Sequence, residues 1–232
     1  RVDRRQRQMC IRDSKAHHAD IMLLQETGNN WSVQPESRQW RTMVDKYLGP
    51  RHVKTCYTYN KRDKVRTKVQ YGGEAIISHG LMSHYVMGKG KDKSKLGQWL
   101  WSRYRGKNRQ VLQAVSIYCP CTPSTSGERM VWAQHREYLQ SINDDQDPRS
   151  EWLEDFEAEL AEWIAAGDHL IIGGDINKDI FHEDVTSIFN QYGISHLVYC
   201  QHYAEDAPPM HQTTESARKV DGLWGTPGVE VY

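Results

Sequence analysis

Short apolar runs that end in a polar residue recur along this chain of 232 residues, and they restrict its fold more than any other feature. The clearest one is residues 170–177, Leu-Ile-Ile-Gly-Gly-Asp-Ile-Asn. An apolar run of this length, bounded by glycine, is typical of a buried strand. Asp175 and Asn177 are two residues apart, so on an extended backbone both point to the same face. The run therefore predicts a strand that opens onto a polar site.

A carboxylate beside a neutral amide suits phosphate chemistry. The carboxylate of Asp175 is able to orient a water or hold a metal ion, and the amide of Asn177 donates to a phosphoryl oxygen without adding negative charge. Gly-Asp-x-Asn also occurs in ordinary turns, so these eight residues alone leave a turn and a site equally open. The remaining runs decide between the two.

Strand and helix patterns alternate through the rest of the chain. The patterns predict further strands at residues 19–25, 53–59, 72–78, 98–103, 111–118 and 219–224. They predict helices at 127–142, 151–166 and 184–192, the second of which has Ser150 as N-cap and Gly167 as its stop. Hairpin signals, such as the turn at 106–108, outnumber strand-helix-strand crossovers. The chain is therefore predicted to be an α/β domain with mostly antiparallel strands.

The charge is balanced overall but unevenly distributed. Lys and Arg number 30, as do Asp and Glu, so net charge indicates no partner. Residues 51–68 and 89–109 are strongly basic, whereas residues 144–159 are acidic. The acidic run is explained as the outer face of the predicted helix, but the basic runs, with Trp99 and Trp101 beside the second, are able to form a face that binds a nucleic-acid backbone. The alternative is that both basic runs are solvated loops.

The cysteines and the first residues of the chain bear on the compartment of the protein and on the limits of its domain. The five cysteines show no Cys-x-x-Cys spacing, which favours neither a disulfide framework nor a zinc site and predicts an intracellular protein, cytoplasmic or nuclear. No membrane span or secretory signal is predicted. Residues 1–14 lack core periodicity and are predicted to be non-native or disordered, with a genuine basic arm as the alternative. Residues 15–232 are predicted to be one incomplete domain.

Five segments carry a resemblance to a known family. They are Leu24-Gln25-Glu26-Thr27, Tyr71-Gly72-Gly73-Glu74-Ala75-Ile76-Ile77, Ser116-Ile117-Tyr118-Cys119-Pro120, Gly174-Asp175-Ile176-Asn177 and Val220-Asp221-Gly222-Leu223-Trp224. In order and spacing, from about residue 19 to 232, they resemble the endonuclease/exonuclease/phosphatase superfamily, which includes abasic-site endonucleases and the endonuclease domains of retrotransposons. The resemblance implies a two-sheet β-sandwich of mostly antiparallel and mixed strands flanked by helices, in four layers α/β/β/α.

The resemblance also implies a chemistry and a set of site residues. Glu26 would bind Mg²⁺ or Mn²⁺, and Asp175 would orient or deprotonate the attacking water. Asn177 and Tyr118 would donate to the phosphate, and Asp221 would support a catalytic histidine. The predicted catalytic residues are therefore Asp175, Asn177, Tyr118 and Asp221, with Glu26 at the metal, and the predicted reaction is metal-dependent phosphodiester hydrolysis.

Two departures from the family pattern bear on activity. Residues 1–14 hold no counterpart of the family's metal-site asparagine, and no Ser-Asp-His follows Asp221. A positioned acid or base contributes about 10²–10⁴-fold to rate, so the 232-residue chain is expected to be nearly inactive. The favoured function is a DNA endonuclease of a retroelement-like protein, monomeric and without a membrane partner. The alternatives are a phosphoesterase on small-molecule or lipid phosphates and a non-catalytic nucleic-acid-binding remnant.

Overall fold

The computed structural model describes residues 19–122, 129–201, 211–212 and 217–229. Its strands are β1 Ile21–Leu24, β2 Val53–Tyr57, β3 Ala75–His79, β4 Val86–Lys91, β5 Trp99–Arg105, β6 Val111–Tyr118, β7 His169–Asp175, β8 Ser195–His196, β9 His211–Gln212, β10 Ala217–Arg218 and β11 Asp221–Gly225. Its α-helices are α1 Trp40–Leu48, α2 Gly80–Tyr85, α3 Val131–Ser141, α4 Pro148–Ala165, α5 Glu183–Gln191 and α6 Leu197–Gln201. The residues at 1–14 lie outside the described part, so the prediction about them stays open.

The strands form two main sheets. The smaller has the order β1-β3-β2 and is antiparallel throughout, and the larger has the order β4-β5-β6-β7-β11-β8. In the larger sheet only the β6–β7 pair is parallel. The strands β9 and β10 form a separate antiparallel pair. The prediction of mostly antiparallel strands with a mixed sheet is confirmed.

The two sheets pack face to face with helices on their outer faces. Alternation along β3 separates the layers, because Ala75 and Ile77 pack with α1 whereas Ile76 packs with Leu100 of the larger sheet. The outer face of the larger sheet packs against α4 and α5 through buried apolar residues, among them Trp99, Ile117, Trp152, Phe156, Leu160, Ile172 and Phe189. Full burial of such a side chain contributes roughly 1.5–3 kcal/mol. The predicted four-layer α/β/β/α arrangement is therefore present.

The helix α4 begins earlier than its sequence pattern predicts. Its N-cap is Asp147, whose side chain accepts a hydrogen bond from the backbone N–H of Arg149 at 2.9 Å, and Pro148 occupies the first helical turn. The prediction that Ser150 is the cap was therefore wrong. The predicted stop is confirmed, since Gly167 has a φ of +76° directly after the helix. The earlier start places Arg149 in the first turn of α4.

Trp99 is a core residue and not a surface one. It is 1% exposed, and its ring lies edge-on to Trp152 at 6.0 Å between centroids and to Phe156 at 5.7 Å. Trp101 packs partly against the same core and covers Gly90 of β4. The prediction that this aromatic pair covers a nucleic-acid groove is therefore wrong for Trp99.

No helix in the described segments is long and apolar enough to cross a membrane.

Candidate active site

Three of the predicted site residues lie in one row across the larger sheet. Tyr118 ends β6 and is paired in register with Asp175, which ends β7. Asp175 is in turn paired in register with Asp221, which begins β11. Neighbouring strands are about 4.8 Å apart, so the phenol and the two carboxylates meet at one end of the sandwich.

Glycine makes the close pairing of β6 and β7 possible at this row. A Cβ atom on Gly174 would lie 2.0 Å from the carbonyl oxygen of Ile117, a distance that no side chain tolerates. A Cβ atom on Gly173 would lie 2.7 Å from Leu23 Cδ1 in the opposite sheet. The two glycines before Asp175 therefore let its strand approach both β6 and the smaller sheet.

Glu26 reaches the row from the smaller sheet. It follows β1 with a φ of +50°, a left-handed conformation that is uncommon for a residue other than glycine. The hydroxyl of Tyr118 donates a hydrogen bond to Glu26 Oε1 at 2.9 Å. This bond joins the two sheets across the site, and it was not foreseen, because the sequence predicts only that both residues lie at strand ends.

Asn177 is held in a tight turn after β7. Its backbone has a φ of +52°, and its N–H donates to Asp175 Oδ1 at 2.7 Å. Its side-chain Nδ2 donates to the carbonyl oxygen of Cys119 at 2.9 Å. Nδ2 carries a second hydrogen, and the Asn177 side chain also interacts with the Tyr118 hydroxyl. The proposed role of Asn177 as a phosphate donor stays a prediction.

The site concentrates negative charge. Burial raises the pKa of Asp175 to about 7, and the neighbouring Asp221 and Glu26 carboxylates add to the effect. Burial also raises the pKa of Tyr118, as do Glu26 and Asp175, so its phenol stays protonated and acts as a donor. The site therefore combines a carboxyl poised near neutral pH with a fixed hydrogen-bond donor.

The donor chemistry fits a hard divalent cation. Within the described residues, no group of three or more His, Cys, Asp or Glu side chains is close enough to enclose a metal ion. Glu26 and Asp175 nevertheless supply carboxylate oxygens, and the charge of Glu26 adds to the effect of burial in raising the pKa of Asp175. Mg²⁺ prefers oxygen ligands and keeps several of its waters, so one or two carboxylates are enough to hold it.

Arg149 supports the site and was not predicted from the sequence. Its guanidinium donates to three backbone carbonyls, those of Pro120 at 3.0 Å, Asn177 at 3.2 Å and Ile176 at 2.8 Å. It thereby connects the loop after β6 with the loop after β7. The sequence signal was present in Asp147-Pro148-Arg149, but a helix start at residue 151 leaves Arg149 outside the helix.

Glu74 is a second residue that the sequence did not reveal. It is 0% exposed and precedes β3, and neither carboxylate oxygen has a hydrogen-bond partner among the described residues. Burial raises its pKa well above the ordinary value, and the charges of Asp92 and Asp175 add to the shift. Burial therefore favours the protonated form of this carboxyl.

Comparison with solved structures places the fold. A structure of an AP endonuclease from Archaeoglobus fulgidus superposes with a TM-score of 0.59 at 15% identity, covering 94% of this chain and 80% of that one. The catalytic domain of Xenopus laevis APE2 gives a TM-score of 0.64 at 13% identity, covering 95% and 79%. The 3'-5' exonuclease NExo from Neisseria meningitidis gives 0.58 at 12% identity, covering 94% and 83%. The chain has the endonuclease/exonuclease/phosphatase fold.

The sequence itself carries no closer assignment. No protein-family model matches the chain, and no curated protein matches it. In this fold, Glu26 reaches the site from the smaller sheet and Tyr118 reaches it from the larger sheet. Asp175 and Asp221 lie at the same end of the sandwich. The fold thus accounts for how five separate sequence segments meet.

Proposed function

We propose that this chain hydrolyses phosphodiester bonds of DNA with a divalent cation, as the endonuclease domain of a retroelement-like, intracellular and monomeric protein. The observation that carries the proposal is the convergence of Glu26, Asp175 and Asp221 with the Tyr118 hydroxyl at one end of the sandwich. The retroelement assignment depends on the sequence resemblance alone.

Each residue of the site has a distinct task in this proposal. Asp175, with a pKa of about 7, accepts the proton of the attacking water. Tyr118 and the Asn177 side chain donate to phosphoryl oxygens, where charge develops in the transition state; the Tyr118 hydroxyl, which has a single hydrogen, turns it from Glu26 to the phosphate in this step. Asp221 has the role that the sequence resemblance implies, support of a catalytic histidine. Mg²⁺ or Mn²⁺ on Glu26 supplies neutralisation of the phosphate charge when bound.

Proteins of the same fold support a nucleic-acid substrate. One solved structure is described as a 3' phosphatase from Neisseria bound to product DNA hairpin, with a TM-score of 0.57 at 12% identity. It covers 94% of this chain, as the exonuclease structure does. Sequence identities this low do not transfer an activity. The shared fold supports the proposal, and the experiment below tests it.

Nicking of supercoiled plasmid tests the proposal. We expect slow conversion of supercoiled to open-circular DNA at equimolar enzyme with Mg²⁺ or Mn²⁺, none with EDTA, and none from the Asp175→Asn variant. Asp145→Asn is the matched control, because the Asp145 side chain is 99% exposed and the substitution removes the same charge. Nicking that survives Asp175→Asn would contradict the assignment.

A second candidate is hydrolysis of a small phosphate ester. A mannosyl-6-phosphatase from Bacteroides thetaiotaomicron has the same fold, with a TM-score of 0.53 at 11% identity, covering 95% of this chain and 76% of that one. This candidate predicts metal-dependent cleavage of p-nitrophenyl phosphate esters without salt-dependent DNA binding. DNA binding without any cleavage would instead favour the non-catalytic remnant.

A further inference from the structure

The two basic runs of the sequence do not form one face. The strand β5 begins at Trp99, beside the end of the sandwich that carries Tyr118, which we call the site end. Arg105 and Lys107 lie at the opposite end of the β5–β6 hairpin, about 20 Å further along β5. Three other basic residues are paired with acids: Lys64 with Glu137 at 3.1 Å, Lys93 with Glu162 at 2.7 Å, and Arg103 with Asp168 at 2.7 Å. These five basic residues are therefore either remote from the site or neutralised.

Three lysines remain together at the site end of the sandwich. Lys89 and Lys91 project from β4 towards β2, where Lys89 Nζ donates to the carbonyl oxygen of Thr55 at 3.4 Å. Lys91 Nζ lies 4.9 Å from the ring centroid of Tyr57, and Lys61 Nζ lies 5.9 Å from that of Tyr59. None of the three forms an ion pair with an acid in the part of the chain that the structure describes. We name Lys61, Lys89 and Lys91, with the two tyrosines, the lysine rim.

The lysines of the rim affect one another. The pKa of Lys91 is lowered, first by burial and then by the charge of Lys61, with a smaller effect from Lys89. The charges of Cys56 and Asp92 act on Lys91 in the opposite direction, but neither is paired directly with it, and like charges held together without such a pair are costly unless an anion is bound beside them. Cation–π contacts with Tyr57 and Tyr59 favour these ammonium positions over extension into solvent. The rim thus has the chemistry of a site for phosphate groups.

The position of the rim fits a strand of nucleic acid that passes the catalytic row. Lys91 pairs with Leu100, which pairs with Ser116, two residues before Tyr118. With strands about 4.8 Å apart and a rise of about 3.3 Å per residue, Lys91 lies roughly 12 Å from Tyr118 and roughly 16 Å from Asp175. At about 3.4 Å per nucleotide, that span is four to five nucleotides.

We propose that the lysine rim binds the phosphodiester backbone of a DNA duplex four to five nucleotides from the phosphate at Tyr118 and Asp175. The inference rests on the proposed function, because it assumes a substrate that extends beyond a single phosphate ester. A small phosphate ester would not reach the rim, so the rim distinguishes a nuclease from a small-molecule phosphatase of the same fold.

The salt dependence of binding tests the rim. We measure the Kd of a fluorescein-labelled 20-bp duplex by anisotropy between 50 and 200 mM NaCl, in EDTA, for the full chain and for Lys61→Gln/Lys91→Gln. Each phosphate contact contributes about 0.9 to the logarithmic salt slope, so loss of two contacts lowers the slope by about 1.8. The affinity difference between the two proteins should then shrink about 12-fold over this fourfold range of salt.

Two control variants make the result specific. Arg105→Gln/Lys107→Gln removes the same charge at the remote end and should leave the slope unchanged, and Lys61→Arg/Lys91→Arg should retain binding. Equal slopes for the wild type and Lys61→Gln/Lys91→Gln would overturn the rim while leaving a DNA-binding function intact. If the wild type itself binds without salt dependence, the proposed DNA substrate fails, and so does the rim. Preference for a single strand of the same sequence over the duplex would overturn the duplex assignment.

Discussion

The buried carboxyl of Glu74 makes the stability of this protein depend on pH in a defined direction. An unfolded chain releases the Glu74 proton above about pH 4.3, whereas the folded chain retains it, since burial raises the pKa of this carboxyl. The folded state then binds more protons than the unfolded state, so the free energy of unfolding falls as pH rises. The stabilisation is complete below the unfolded pKa and is lost progressively up to the folded pKa.

The Glu74→Gln variant isolates this contribution. Glutamine has nearly the same shape but does not ionise, so the variant lacks the pH-dependent loss. Because the pKa of Glu74 is raised in the folded state, the variant gains stability relative to the wild type as pH rises from 5 to 7, by at most about 1.4 kcal/mol per pH unit. The proton linkage, and not the identity of the side chain, is the source of this gain.

Urea unfolding followed by tryptophan fluorescence at pH 5, 6 and 7, in EDTA, measures the difference. Glu162→Gln is the control, because the Glu162 side chain is 63% exposed and should show no such trend beyond the effect of its ion pair with Lys93. A difference between Glu74→Gln and wild type that stays constant from pH 5 to 7 would refute the assignment of a protonated buried carboxyl.

Two further substitutions probe the framework of the site. Arg149→Ala should destabilise the chain by about 2–4 kcal/mol and lower any nicking activity, because three backbone carbonyls lose their donor. Arg149→Lys should restore little, because one ammonium does not reproduce the guanidinium fork. Thermal unfolding measures the stability, and the plasmid assay measures the activity. Unchanged stability of the alanine variant would contradict this role. Gly174→Ala should lower the free energy of unfolding by about 1–3 kcal/mol or more, because the added methyl group would overlap the Ile117 carbonyl oxygen. A denaturant midpoint equal to that of the wild type would contradict this prediction and show that β6 and β7 are able to separate.

The sequence was sufficient to predict which strands end in polar side chains. An Asp or Glu at the end of a buried strand seldom serves the packing of the core, so it indicates a site. The alternation of side chains along a strand places Asp175 and Asn177 on the same face by local rules alone. What local rules do not contain is register. The row of Tyr118, Asp175 and Asp221 depends on pairing between strands that are more than 40 residues apart in the chain, and only the resemblance to a known family brought them together.

The missed elements share a physical cause. The strand β4 alternates glycine with exposed residues, and its buried face consists of glycines that pack under Trp101, so it shows no apolar period. Glu74 is a charged residue type directly before the apolar residues of β3, and Ser116 and Asp175 of the larger sheet lie close enough to affect it. In both cases tertiary packing, which a sequence window does not include, overrides the local pattern.

The distribution of charge around the site bears on the proposed role of a cation. Glu26, Asp175 and Asp221 would repel a phosphodiester; burial is the main cause of the raised pKa of Asp175, and the charges of Asp221 and Glu26 add to it. The lysine rim attracts the same polyanion from roughly 12–16 Å away, beyond the Debye length of about 8 Å at physiological salt. The rim therefore cannot neutralise the catalytic row through solvent. Attracting the DNA backbone and accepting the reacting phosphate are therefore separate tasks. In the proposed mechanism, a positive charge within the carboxylate row performs the task of accepting the phosphate.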